Sequence, residues 1–548
     1  MSTRLYTHPS LGPLRARRSP SLSTLQFRNI PYASIPARWQ DPVLRSGPLA
    51  ASAEDPFDAT RHGPPCPQFP GGQGLDVMLT GQVELKRVDD EEEAEAAPTG
   101  EADEFGCANL VVTVPEGVEG REEGVPVMVW VHGGALVIGA NSWPQYDLAR
   151  LVSRSAKIGK PVIGVAINYR HNVYGFLASE KIGSKGNFGL KDAICAFQWI
   201  KQNIAGFGGD PDQVLAFGES AGSFFLHHLL YADVPSPLFN RVVLQSGDLS
   251  LRRPADAPYQ EAIFAKVMKY LGLDADKPDD VQAFKEMGAA EVTAKLPSPQ
   301  ELHGYCAYVD GELLKNGKLP RMESLGEDRR VLAEGCWCED VTIGDMAMDG
   351  SIMSGSLLTD PNAGSHVVTA LESVLSVEET ARLSNAYKLS ASPAEQIQGI
   401  MQLLSHLRFY TPCLVLHDAF KKYGGGKRIQ RYHMHQPNPF PGFCTGIPSH
   451  ELDVAYVLQN YAPLMPPEHK ELANNITDMW IAQAYGDHWS DDKGGAVFVV
   501  KPDCTSAMMG EDEYDEVMRE ERGKMMMELE WEKIIKLGMA LANTTGNG

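Results

Sequence analysis

The sequence predicts an α/β fold: a large, mostly parallel central sheet with helices on both faces. Three observations predict it. Short apolar runs of strand length recur at Asn109–Val114, Pro126–Val131, Pro161–Ile167, Gln213–Phe217 and Arg241–Leu244. From the middle of this series they alternate with helical spacings. Ala193, Ile194, Phe197, Ile200 and Ile204 repeat at helical period, and a second helix starts at Ala221 and carries Phe224, Phe225 and Leu229. Finally, 52 glycines and 37 prolines among 548 residues suit a loop-rich enzyme rather than a helical bundle. Strand–helix–strand order with connections of this length favours parallel pairing and covers the sheet on both sides.

Later strands are expected at Val341–Gly344, Ile429–His435 and Val497–Val500. The helix-rich stretches 255–290 and 368–425 read as a cap over the carboxyl edge of the sheet. The expected organisation is one domain over 1–548, with cap insertions at roughly 255–340 and 360–425. Between Glu84 and Glu104 ten acids face only Lys86 and Arg87, which reads as a solvated surface loop. From Glu511 to Lys536, Val517, Met518, Met525, Leu529 and Ile534 punctuate mixed charges, as in one surface helix packed on a single face.

Composition excludes several functions. A formal net charge of -22 argues against nucleic-acid binding, which needs basic surface to displace phosphate counterions, and against docking on anionic lipid. At 43% hydrophobic residues, global disorder is excluded. The most apolar stretch, Val125 to Ala140, contains His132, Gly133 and Gly134 and is too short to span a bilayer, so no stable membrane insertion is expected. With no apolar leader, a cytoplasmic location and reduced thiols are expected for the nine cysteines. Arg4, Arg15, Arg17 and Arg18, with Asp41 as the first acid, leave a transit peptide conceivable.

The chemistry gathers around Gly218-Glu219-Ser220-Ala221-Gly222. This Gly-x-Ser-x-Gly follows a strand and opens a helix, the setting that lifts a serine hydroxyl clear of a sheet. Gly218 and Gly222 let strand and helix approach, and the Ala221 N–H points from a positive helix end. His132-Gly133-Gly134-Ala135 follows the strand Pro126–Val131. Backbone N–H groups of Gly133, Gly134 and Ala135 would complete an oxyanion hole with Ala221. Ser220 needs a base, and the base an orienting carboxylate. His433 and His435 sit in an alternating strand pattern, and His227 and His228 lie inside the helix after Ser220. His450 lies in a loop, and Asp349 follows a strand, so Ser220, Asp349 and His450 have the serine–acid–histidine order; composition does not choose them from their competitors. Cofactors and metals are not called for.

An ordered series of motifs resembles the type-B carboxylesterase/lipase family, with its α/β-hydrolase fold and its cholinesterase members. The series runs from Phe27-Arg28-Asn29-Ile30-Pro31-Tyr32-Ala33 through Trp130-Val131-His132-Gly133-Gly134-Ala135, Asn168-Tyr169-Arg170, Tyr174-Gly175-Phe176-Leu177 and Gly186-Asn187-Phe188-Gly189-Leu190-Lys191-Asp192. It continues with Trp199, Phe207-Gly208-Gly209-Asp210-Pro211, the serine pentapeptide, Leu244-Gln245-Ser246-Gly247 and Val309-Asp310-Gly311. The resemblance implies Asp349, between Gly344 and Gly350, as the acid, and His450, with Asp453 three residues on, as the base. It implies a carboxylic ester hydrolase acting on small-molecule esters through an acyl-enzyme, with a lipase using a flap between Cys66 and Cys107 as an alternative. A non-catalytic interaction protein of cholinesterase type is the alternative from another class. Many relatives have Glu at the acid and Gly where Ala135 stands. Cys66 and Cys107 align with a family disulfide, whose formation depends on the compartment. Tyr6 to Arg15 resembles the family's first strands, which argues against a transit peptide.

Overall fold

The computed structural model describes residues 2–50, 52, 54–85, 101–119, 121, 123–298, 304–320, 329–353, 360–489 and 495–544. Residues 86–100 of the expected acidic loop lie outside the described residues.

Alternate side chains of each central strand enter different cores, because successive residues of a strand point to opposite faces. In Val125–Val131, Val127, Val129 and Val131 join one apolar cluster, whereas Met128 and Trp130 join the other. Every residue of this strand and of Asn109–Pro115 is buried. That is why the central strands read as unbroken apolar runs rather than alternating ones.

Thirteen strands form one sheet. Its order is Thr3–His8, Gly12–Ser19, Thr24–Pro31, Asn109–Pro115, Ile163–Ile167, Val125–Val131, Gly209–Glu219, Arg241–Gln245, Asp340–Met346, Arg428–Met434, Ala496–Val500 and Ser506–Gly510, with Phe57–Ala59 beside Gly12–Ser19. Pairing is parallel from Ile163–Ile167 through Ala496–Val500 and antiparallel towards both edges, apart from the parallel pairing of Phe57–Ala59 with Gly12–Ser19. The parallel strands therefore bring their carboxyl ends to one rim. His132, Ser220 and Asp349 all lie within a few residues of such ends.

Seven of the eight expected strands start within two residues of an observed one, and Gln213–Phe217 lies inside the longer Gly209–Glu219. The N-terminal strands and the edge strand Ser506–Gly510 carry no continuous apolar run, since an edge exposes one side of the sheet. The stretches 255–290 and 368–425 hold helices Ala257–Tyr270, Pro278–Glu286, Val377–Ala386, Pro393–Ser405 and Thr411–Tyr423.

The C-terminal segment corrects the sequence expectation. It is not one helix but three: Glu511–Arg519, Arg522–Met527 and Trp531–Thr544. Glu520 and Glu521 adopt φ 54° and 60°, which ends the first. The Asp515 carboxylate then accepts from the N–H groups of Gly523 (2.7 Å) and Lys524 (2.9 Å), starting the second. Asp515 and Arg519 are themselves buried, so this is no simple surface helix.

Candidate active site

Ser220 joins strand Gly209–Glu219 to helix Ala221–Leu229 with φ 50° and ψ −115°, a conformation L side chains seldom adopt. Its N–H donates to the Gln245 carbonyl at 2.9 Å, pinning the turn to the next strand. Glycines permit the approach: a Cβ at Gly222 would lie 2.0 Å from the Val131 carbonyl oxygen. One at Gly247 would lie 2.4 Å from the Ser220 carbonyl oxygen.

The glycine turn lies against this elbow. A Cβ at Gly133 would meet the Glu219 carbonyl oxygen at 3.0 Å and Ser220 Cβ at 3.5 Å. Gly134 has φ 93°, and Ala135 holds φ 55° despite its methyl. Among the described residues, the N–H groups of Gly133, Gly134 and Ala135 enter no internal hydrogen bond. His132 is buried and stacked on Tyr169 at 4.5 Å, and burial pushes its pKa down to about 3, so the ring is neutral.

The fold brings Asp349 and His450 together. His450 Nδ1 lies 2.6 Å from Asp349 Oδ1, while Asp349 Oδ2 accepts from the Met346 N–H at 2.9 Å. The two loops are tied by main chain, with Met348 N–H donating to the Pro448 carbonyl at 3.1 Å. The His450 N–H donates to Ser351 Oγ, and Phe409 packs against the imidazole at 5.4 Å. Burial, partly offset by His450, pushes the Asp349 carboxyl up to about 6. The imidazole Nε2, the atom that would face a nucleophile, makes no hydrogen bond. It lies 3.0 Å from Glu219 Oε1, immediately before Ser220 in the chain. Burial and the neighbouring acids Glu451, Asp453, Asp349 and Asp76 push the Glu219 carboxyl well above the usual carboxylate range.

Parallel strands ending at a strained Gly-x-Ser-x-Gly turn, beside a glycine turn and a His–Asp pair, define an α/β-hydrolase. The chain belongs to the carboxylesterase family, whose model matches residues 7–521. It is 36% identical over 249 residues to Lipase 3 of Yarrowia lipolytica and 31% over 347 residues to Lipase 5 of Diutina rugosa. Those alignments cover 45% and 61% of this chain but only 46% and 60% of the two lipases. Against the para-nitrobenzyl esterase of Bacillus subtilis it is 25% identical, covering 84% of this chain and 86% of that one. Among solved structures, a Geobacillus stearothermophilus carboxylesterase superposes with a TM-score of 0.70 at 25% identity, covering 95% of this chain and 99% of that chain.

Sequence reasoning gave no role to Glu219, Glu451, Asp76 or Tyr146, all of which the fold gathers near His450. The signal for Glu219 was its place inside the serine pentapeptide. Nothing local marks Asp76. Cys66 and Cys107, which align with a family disulfide, are both buried, and their thiols lie in contact with each other. Among the described residues, no cluster of His, Cys, Asp or Glu could hold a metal ion, and no helix is long and apolar enough to cross a membrane.

Proposed function

We propose that this protein hydrolyses carboxylic esters through an acyl-enzyme, with Ser220, His450 and Asp349 as its triad. The observation that carries the reading is the 2.6 Å His450–Asp349 bond beside a strained serine and a turn of uncommitted N–H groups. His450 Nε2 accepts the Ser220 proton as Oγ bonds to the ester carbonyl carbon. The oxyanion takes hydrogen bonds from the N–H groups of Gly134, Ala135 and Ala221, with Gly133 beside them. Collapse breaks the ester C–O bond, and the imidazolium returns its proton to the leaving alcohol. Water repeats the sequence on the acyl-serine and releases the acid. Asp349 fixes the tautomer and balances the imidazolium.

The test is hydrolysis of short p-nitrophenyl esters by the wild type and by Ser220→Ala. Equal rates overturn the mechanism. The lipase reading is favoured by one feature: Met78 and Phe105, between Cys66 and Cys107, are 45% and 46% exposed. Faster turnover of emulsified tributyrin than of dissolved ester would select it. Failure of Ser220 to label with a fluorophosphonate would instead favour a non-catalytic interaction protein.

A further inference from the structure

Glu451, the residue after His450, is buried at φ 68°, a left-handed conformation that a residue with Cβ adopts at a cost. Its carboxyl points away from solvent into a second acid. Tyr146 Oη lies 2.8 Å from Glu451 Oε1 and 2.8 Å from Asp76 Oδ2. Gln145 Nε2 also donates to Asp76 Oδ2 at 2.8 Å, and the two carboxyls contact each other. Asp76 belongs to helix Gly72–Thr80, in the segment between Cys66 and Cys107.

Counting protons exposes a shortfall. The Tyr146 hydroxyl has one hydrogen and two carboxyl acceptors, so it satisfies one of them. Glu451 Oε2 is buried and has no donor. Two bare carboxylates cannot share such a space, because each loses its hydration and repels the other. One additional proton, on one carboxyl and donated to the other, removes both problems.

We propose that Glu451 is a positioning residue for His450: its carboxyl shares one proton with Asp76, and that bond ties the loop carrying the imidazole to helix Gly72–Thr80. The inference rests on the reading of His450 as the general base. Burial and the Asp76 charge hold Glu451 well above the carboxylate range, while burial also raises Asp76. The other groups facing the pair are His450, Glu219 from the serine strand, Asp453 from helix Leu452–Leu458, and Tyr461. None of these is a permanent cation, so the shared proton is what keeps the acids together. Its loss to hydroxide at alkaline pH leaves two repelling carboxylates, one of them on the residue bonded to His450.

The experiment compares wild type, Glu451→Gln, Asp76→Asn and Glu451→Gly, with Ser220→Ala as blank. It follows kcat and KM for a short p-nitrophenyl ester across alkaline pH. It also follows the infrared stretching band of protonated carboxyls in the unliganded proteins. Wild-type kcat is expected to fall on the alkaline side with KM moving less than about twofold. Glu451→Gln and Asp76→Asn, which carry a permanent amide donor, should lose that alkaline limb, and each should lose infrared intensity at neutral pH. Glu451→Gly suits the left-handed backbone and folds without the pair. Its kcat should drop roughly tenfold, in line with the sensitivity of catalysis to sub-ångström misplacement, and Gln should restore most of the loss. Unchanged pH profiles and infrared bands in all three variants would overturn the proposal. If the wild type is no faster than Ser220→Ala, the ester-hydrolase reading falls, and the infrared band alone decides the carboxyl pair.

Discussion

Two buried His–Asp pairs stand near the same rim with the same separation. His450 Nδ1 to Asp349 Oδ1 is 2.6 Å, and so is His433 Nδ1 to Asp345 Oδ1. Their surroundings differ. Asp345 is held by Arg519, whose Nη2 donates to both carboxylate oxygens at 2.9 and 3.0 Å. His433 is stacked on Tyr514 at 4.5 Å, and Arg519 lies over the Tyr410 ring at 4.3 Å. Burial works against the Asp345 charge, but Arg519 and His433 outweigh it, so its pKa is lowered. No guanidinium meets Asp349 among its described partners, and its pKa rises to about 6. A buried carboxylate with a dedicated cation is a structural tie. One whose principal partner is a titratable imidazole can respond to a proton moving on that ring.

The contrast can be broken most severely at the nucleophile. Ser220→Ala is expected to lower kcat by roughly 10⁴-fold or more, while the melting temperature changes little. Asp349→Asn should cost roughly 10³–10⁴-fold in kcat by favouring the wrong imidazole tautomer. His433→Ala should leave kcat within a few-fold of wild type; a loss like that of Asp349→Asn would erase the distinction between the pairs. Arg519→Met leaves Asp345 without its guanidinium and should destabilise the fold by about 3–5 kcal/mol in denaturant melts.

Proton linkage sharpens the comparison further. Asp345, lowered in the fold, adds stability above the unfolded carboxyl pKa near ~3.9, lost as pH falls through its folded value. Asp349, raised to about 6, does the reverse: stability falls as pH climbs from ~3.9 towards 6. Asp349→Asn should therefore gain up to about 3 kcal/mol above that range even as it loses activity. The smallest effect is in the rate profile. Wild-type activity should fall as pH drops below about 6, where Asp349 takes up a proton and no longer balances charge on the imidazole.

Much of this architecture was legible because its signals are local. Central strands buried on both faces read as apolar runs, and the serine elbow is written in five consecutive residues. The outer strands were less legible. Gly12–Ser19 carries Arg15, Arg17 and Arg18, so its pairing rather than its composition makes it a strand. Residue types alone did not choose His450 over His433: loop position shortlisted His450 and the ordered family motifs assigned it, while in the structure both histidines find an aspartate at equal distance. Glu451 and Tyr146 are 305 residues apart, and contacts closed over such distances leave no trace in local spacing. The C-terminal breaks at Glu520 and Glu521 were hidden likewise, because glutamate ordinarily favours helix and the demand for a turn comes from the burial of Asp515 and Arg519.

The hydrogen bond from Met348 to Pro448 has a practical consequence for redesign. It stitches the acid-bearing and imidazole-bearing segments through groups that every sequence possesses. A designer could exchange neighbouring side chains widely and keep the His450–Asp349 contact aligned. Transplanting a histidine loop of different length, however, would require carrying its aspartate companion along as a single cassette.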